Sequence, residues 1–132
     1  MRFKKICNGK KGQSLVETAL VLPIIILMLM GIIDIGMMFN NYTIVGNAAR
    51  EAARSAATGA TDIQIDALVD SITSSLDSSN LSWTIIPVQA TREKGDEIVV
   101  MIIYNHELIT PVISSLVPSP IQLTGTAAMR FE

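Results

Sequence analysis

A long run of apolar residues near the start of the chain limits its possible folds more than any other feature. Residues 18–39 contain a single ionisable side chain, Asp34. As an α-helix this run is about 33 Å long, which is enough to cross a hydrocarbon core of about 30 Å. A secretory signal would have a shorter apolar stretch followed by a cleavage site of small residues. The sequence Met37–Asn41 offers no such site, so we expect the run to stay as a single-pass membrane anchor.

Charge is distributed unevenly on the two sides of this run. Half of the ten Lys and Arg residues lie in residues 1–12 with no acidic residue among them, whereas all twelve Asp and Glu residues follow. The positive-inside rule therefore predicts a cytoplasmic N-terminus and an exported C-terminal part. Because that exported part is acidic, we expect no nucleic-acid partner, which would require clustered Lys and Arg. The single Cys7 permits neither an intramolecular disulfide nor a cysteine metal site.

A short polar segment joins the basic leader to the apolar run. Gly12 closes the leader, and Glu17 follows at the edge of the apolar segment. A carboxylate costs about 2.5–3.5 kcal/mol at the centre of a membrane helix and less near its end. Cleavage after Gly12 would offset this cost, because the new α-amine of Gln13 in one subunit would be able to pair with Glu17 of a neighbour. Charge alone leaves the alternative that Glu17 only marks the headgroup interface.

The helical pattern continues well beyond the apolar run. Alanines recur at intervals of four residues in two adjacent rows, and such rows form a smooth ridge that allows close packing against the body or a neighbouring subunit. Plain helix propensity is the alternative explanation. We expect a nearly continuous helix over residues 13–60, of which residues 18–39 cross the membrane. The predicted packing residues are Ala48, Ala49, Ala52, Ala53, Ala56 and Ala57.

Asp34 is the one acidic residue inside the predicted membrane segment. An ionisable side chain at this depth is expensive and usually has a partner. Two interpretations are open: the carboxylate reaches water near Asn40–Asn41, or it makes a polar contact with another subunit.

The remainder of the chain predicts a small α+β domain. Helical spacing of apolar residues follows a capping Thr61 or Asp62 and extends to about Leu76. The strand at Glu97–Tyr104 is apolar on both faces, so we expect it to be central, covered by the helices on one side and by a partner on the other. The apolar segment Leu108–Leu116 is either a short helix or a contact surface. The other expected strands are Ser82–Gln89, with Pro87 indicating an edge, and Ile121–Phe131.

No residue pattern predicts catalysis or a cofactor. Asp62, Asp66 and Asp70 form a row on the second helix, but a Ca²⁺ site needs about six or more oxygens from a shaped loop, so a solvated face is the simpler interpretation. His106 stands apart from any nucleophile or ligand set. We therefore expect no enzyme activity, no cofactor and no metal.

Three ordered blocks of sequence resemble one family. They are Gly12–Pro23, Gly31–Gly36 and Asn47–Arg54, with a weaker echo in Ala127–Glu132. Together they are similar to the start of TadE-like proteins, the pseudopilins of the tight adherence (Flp) type IV pilus. The resemblance covers about residues 12–57 and implies a pilin-like fold: a long N-terminal transmembrane helix, a second short helix and an antiparallel sheet of about three strands.

The resemblance also implies a function and a set of partners. A prepilin peptidase would cut between Gly12 and Gln13, with Glu17 as the assembly signature. The product would be a minor pilin-like structural subunit or assembly factor that contacts other pilin-like subunits and the pilus secretion platform. The implied division is a basic leader (1–12), the long helix (13–60) and an exported α+β domain (61–132). The alternative function is an unprocessed, single-pass membrane-anchored binding module of the cell envelope.

Overall fold

The computed structural model describes residues 9–115 and 117–132 of the chain. The basic residues Arg2, Lys4 and Lys5 and the lone Cys7 of the predicted leader lie outside this part, as does Leu116 at the end of the apolar loop.

The described residues form an α+β fold, which confirms the predicted fold class. One very long helix is followed by a short helix and three strands, with a further helical turn between the second and third strands. The elements are α1 (Gly9–Ala57), α2 (Asp62–Ile72), β1 (Leu81–Ile86), β2 (Glu97–His106), α3 (Pro111–Ser114) and β3 (Ile121–Arg130), with 3-10 turns at Ser78–Asn80 and Gln89–Thr91.

Helix α1 is continuous through Pro23 and has two dissimilar halves. The first half is apolar and almost entirely exposed, with a mean hydropathy of 2.6 over its most apolar 18 residues, so it is long and apolar enough to cross a membrane. The second half packs against the rest of the fold. Gly59 ends the helix in the left-handed conformation (φ 91°), and the amide of Ala60 donates to the carbonyl of Ser55 at 3.1 Å. The amide of Gly59 also donates to the carbonyl of Ala56 at 3.1 Å. The two bonds form a Schellman motif, which satisfies carbonyls at a helix end.

Helix α2 begins with a capping box. The Thr61 hydroxyl accepts a hydrogen bond from the Gln64 amide, and the Gln64 side chain accepts one from the Thr61 amide. The helix ends at Ile72, earlier than the predicted Leu76. Thr73 follows, and its hydroxyl donates to the carbonyl of Val69 at 2.7 Å. Hydroxyls that bond nearby backbone weaken helical continuation, and residues 71–75 are rich in them.

The three strands form an antiparallel sheet in the order β1–β2–β3. Alternate side chains of β2 face α1 and are buried, among them Ile98, Val100 and Ile102. The opposite face is only half covered, and Met101 is 40% exposed. The order confirms that β2 is central, and the helices cover one of its faces as expected. Cover of the outer face by a partner stays a prediction.

Candidate functional site

One face of α1 packs against the folded domain. This packing face consists of Gly31, Asp34, Met38, Asn41, Val45 and the buried alanines from Ala48 to Ala57. Its members recur at intervals of three and four residues, so they lie along a single stripe of the helix. The stripe begins inside the predicted membrane segment and ends at the last turn of α1.

The outer part of the packing face lies directly on the sheet. The predicted packing alanines are buried, with Ala48, Ala49, Ala52, Ala53 and Ala56 fully so. The close approach extends to the backbone, because a methyl group added to Gly125 of β3 would lie 2.7 Å from the carbonyl oxygen of Val45. Small side chains on the helix and a glycine on the strand together allow this contact.

The inner part of the packing face contains Asp34. Its side chain is only 2% exposed, and its two carboxylate oxygens accept hydrogen bonds from the backbone amides of Ile109 (3.2 Å) and Thr110 (3.1 Å). The bonded residues lie in the segment between β2 and α3. Asp34 therefore connects α1 to the domain of its own chain, a partner that neither sequence-based interpretation named.

Two turns further along the same face, Asn41 contacts the only histidine. The amide nitrogen of Asn41 lies 3.1 Å from Nδ1 of His106, and the histidine side chain is buried at the end of β2. With the Asn41 amide donating, Nδ1 is the acceptor and the proton of a neutral ring sits on Nε2. Within the part of the chain that the structure describes, Nε2 has no hydrogen-bond partner.

The proposed processing site lies at the opposite end of α1. Gly12 and Gln13 are exposed and helical, close to the start of α1 at Gly9. Glu17 is also exposed and forms no hydrogen bond or ion pair with the described side chains. Next to it, the Thr18 hydroxyl donates to the carbonyl of Ser14 at 2.9 Å, which satisfies that polar group within the apolar helix.

The acidic row on α2 is divided among different partners. Asp62 pairs with Arg92, whose side chain is 3% exposed and also donates to the carbonyls of Pro87 and Ala60. Asp66 accepts a hydrogen bond from Nε1 of Trp83 at 3.0 Å. These bonds fasten α2 to β1 and to the turn before β2. Among the described residues, no group of three His, Cys, Asp or Glu side chains is placed to hold a metal ion.

Charged residues on the outer half of α1 lie away from the packing face. Arg54 donates hydrogen bonds to Glu51 one turn earlier, and these bonds lower the pKa of the Glu51 carboxyl. The Arg54 side chain is 66% exposed and that of Glu51 is 40% exposed, so the pair contributes little to stability.

Several residues of this site were not singled out from the sequence. Gly31, Asn41 and Val45 extend the alanine spacing backwards in steps of three or four, and this periodicity was a usable signal. Gly125 interrupts an alternating strand, which often marks a close backbone approach. The bonds from Ile109 and Thr110 to Asp34 had no local signal, because they join distant parts of the chain.

One comparison with known proteins gives a match, and it lies within α1. A family model described as TadE-like protein matches residues 12–54, which include Glu17, Asp34 and most of the packing face. No curated protein and no solved structure matches the chain. The match confirms the resemblance stated from the sequence: residues 12–54 of this chain are similar to the TadE-like family.

Proposed function

We propose that the chain is a minor pilin-like subunit or an assembly factor of a tight adherence type IV pilus. The observation that carries this proposal is the division of α1 into an apolar half that is almost entirely exposed and a half covered by the sheet. A subunit of this form is held in the membrane by its first half and presents a folded domain on its second. The TadE-like match over both halves associates the chain with the tight adherence system.

Orientation is part of this proposal. The basic leader stays in the cytoplasm, residues 18–39 include the membrane span, and residues 61–132 lie outside the cytoplasm. A reporter enzyme that is active only outside the cytoplasm, fused after Glu132, should be active, and the same enzyme fused to Met1 should be inactive. Activity of only the N-terminal fusion would contradict this orientation.

Processing between Gly12 and Gln13 by a prepilin peptidase is the second part. The bond lies near the start of α1, where the first amides of a helix lack intrahelical partners and local unwinding is easiest. Cleavage would free the α-amine of Gln13 one helical turn from Glu17.

The intact mass of the membrane-purified protein tests this step. Co-expression with a prepilin peptidase should remove residues 1–12, and Gly12→Leu should block the removal because a bulky side chain replaces glycine at the cleaved bond. Gly9→Leu, at another glycine of the same helical end, is the matched control and should be processed. An intact leader in the wild-type protein with active peptidase present would contradict the proposal.

Assembly through Glu17 is the third part. The exposed carboxylate has no partner among the described side chains, and a neighbouring subunit with a free Gln13 amine would supply one. Glu17→Ala should reduce piliation to the level of a strain lacking the gene, at unchanged protein abundance. Glu51→Ala is the control, since it removes a carboxylate of the same helix that already pairs with Arg54.

Normal piliation in the Glu17→Ala strain would contradict the pilin-like function. It would favour the alternative, an anchored binding module of the envelope, which requires neither cleavage at Gly12 nor a charge at Glu17.

A further inference from the structure

The segment between β2 and β3 lies against the membrane half of α1. Asp34 binds the amides of Ile109 and Thr110, as described above. One turn earlier, Ile113 reaches the helix surface so closely that a methyl group on Gly31 would lie 3.2 Å from its Cδ1 atom. The segment is therefore held along α1 at two successive turns.

The level of these contacts falls inside the predicted membrane span. The aromatic side chains Phe39 and Tyr42 are exposed on α1 and occupy positions typical of the belt at a membrane–water interface. At about 1.5 Å per residue, Asp34 lies about 7.5 Å before Phe39 along the helix, and Gly31 lies about 12 Å before it. The segment thus extends below the level of the aromatic residues.

Its composition suits that depth. No charged residue occurs from Leu108 to Met129. Ile109 is 67% exposed, and Pro111 and Val117 are exposed as well. An apolar surface of this kind borders directly on the bare apolar half of α1.

Backbone amides of the segment also have hydrogen-bond partners within the protein. Lipid requires that backbone amides find partners within the protein. Asp34 accepts from the amides of Ile109 and Thr110, and Pro111 has no amide hydrogen to satisfy. Further along, the amide of Ser114 donates to the carbonyl of Thr110 at 3.0 Å. In return, the two amides stabilise a carboxylate at a depth where it would otherwise be costly.

We infer that residues 108–115 and 117–118 form a foot that inserts into the outer part of the lipid bilayer beside α1. The foot contacts the interfacial and upper acyl region of the membrane. Asp34 is the positioning residue that holds the foot on the helix. Lipid is the occupant because the foot continues the bare surface of the membrane helix at the same level. The inference rests on the membrane anchoring in the proposed function.

Site-specific fluorescence in vesicles tests the foot. The full chain carrying Cys7→Ser receives one cysteine at a time, labelled with an environment-sensitive dye, in vesicles of phosphatidylcholine and phosphatidylglycerol. Ile109→Cys and Val117→Cys report on the foot, Ile25→Cys reports on the bare span, and Thr126→Cys reports on the exposed outer face of the sheet.

The foot labels should emit at shorter wavelength and be quenched by lipids with a nitroxide near the headgroup. The Ile25 label should be quenched by nitroxides deep in the acyl chains, and the Thr126 label by neither. Foot labels that behave like the Thr126 label, with Ile25 deeply quenched, would overturn the foot and leave the anchor intact. Absence of deep quenching of the Ile25 label would instead refute the membrane anchoring itself.

A second copy of the chain is the competing occupant. Protection of the foot labels that rises with the protein-to-lipid ratio would assign the surface to that copy and overturn the inference. Asp34→Ala supplies an independent arm: it should abolish shallow quenching of the Ile109 label while the fluorescence of Trp83 stays native. Unchanged quenching in this variant would refute the positioning role of Asp34.

Discussion

The contact between Gly125 and Val45 allows a sharp test of how closely α1 packs on the sheet. A methyl group on Gly125 would lie 2.7 Å from the carbonyl oxygen of Val45 and 2.9 Å from its carbonyl carbon. Both atoms belong to the helix backbone, so no rotamer change relieves the clash. Because favourable contacts begin at about 3.5 Å, α1 and β3 would have to separate by roughly 0.8 Å.

This separation sets the magnitude of the expected effect. Overpacking of a core costs about 1–3 kcal/mol, and Gly125→Ala should reach about 3 kcal/mol because the backbone of a buried helix must move and its fully buried alanines lose contact with the sheet. In a domain of this size such a loss lowers the Tm by roughly 12–24 °C.

The assay uses the full chain in detergent micelles. Trp83 is the only tryptophan, and its hydrogen bond to Asp66 joins β1 to α2, so its fluorescence reports unfolding of the domain. Gly46→Ala is the matched control. The nearest atoms to its added methyl group are those of the Arg50 guanidinium, at 3.8 Å, an ordinary contact.

Removing a glycine from the helix interior at this control position should raise the free energy of unfolding by about 0.5–1 kcal/mol. The two Gly→Ala substitutions are thus expected to have opposite signs. A stability of Gly125→Ala within about 0.5 kcal/mol of the wild type would refute the close packing of α1 on β3.

Three further predictions concern the domain, each measured by urea unfolding monitored through Trp83. Ile102→Ala should cost about 2–5 kcal/mol because the side chain is fully buried, whereas Met101→Ala on the open face should cost much less; equal costs would contradict the assigned strand faces. Thr61→Ala should cost about 1 kcal/mol by removing the capping box, and no change would contradict the cap. Hydrogen bonds from Ser79 lower the pKa of Asp77, so ionised Asp77 stabilises the fold above its ordinary pKa of 3.8, and this contribution is lost as the pH falls through the lowered pKa. The stability difference between wild type and Asp77→Asn should therefore shrink on acidification below that pH; a constant difference would contradict the assignment.

Local patterns in the sequence predicted most of the elements. The apolar run, the alanine rows and the alternation in Ile121–Phe131 each specify an element by its own period, so α1, β2 and β3 were predicted close to their observed bounds. Strand β1 ends at Ile86, three residues before the predicted Gln89, because Pro87 has no amide to continue the ladder. The end of α2 was predicted too late, because apolar spacing continues to Leu76 while the hydroxyl of Thr73 bonds the backbone instead.

The site was less predictable, for a physical reason. The signature from Gly12 to Glu17 is contiguous and can be read directly. The partner of Asp34 cannot be read from the sequence, because Ile109 and Thr110 contribute backbone amides, which any residue except proline possesses. The exposure of Met101 likewise depends on which face of the sheet the helices pack against. The composition of the strand does not specify that face.

The alanine half of α1 has a consequence for how the chain is made. Gly125 lies about 80 residues after Val45, so the helix stripe is synthesised long before the strand that covers it, and such distant pairings form late. During that interval the stripe has no cover. Alanine presents little apolar area, so the uncovered stripe has a weaker tendency to form non-native hydrophobic contacts than a stripe of leucine or isoleucine would. The residues that permit the tightest final packing are thus also the safest ones to leave unprotected during synthesis.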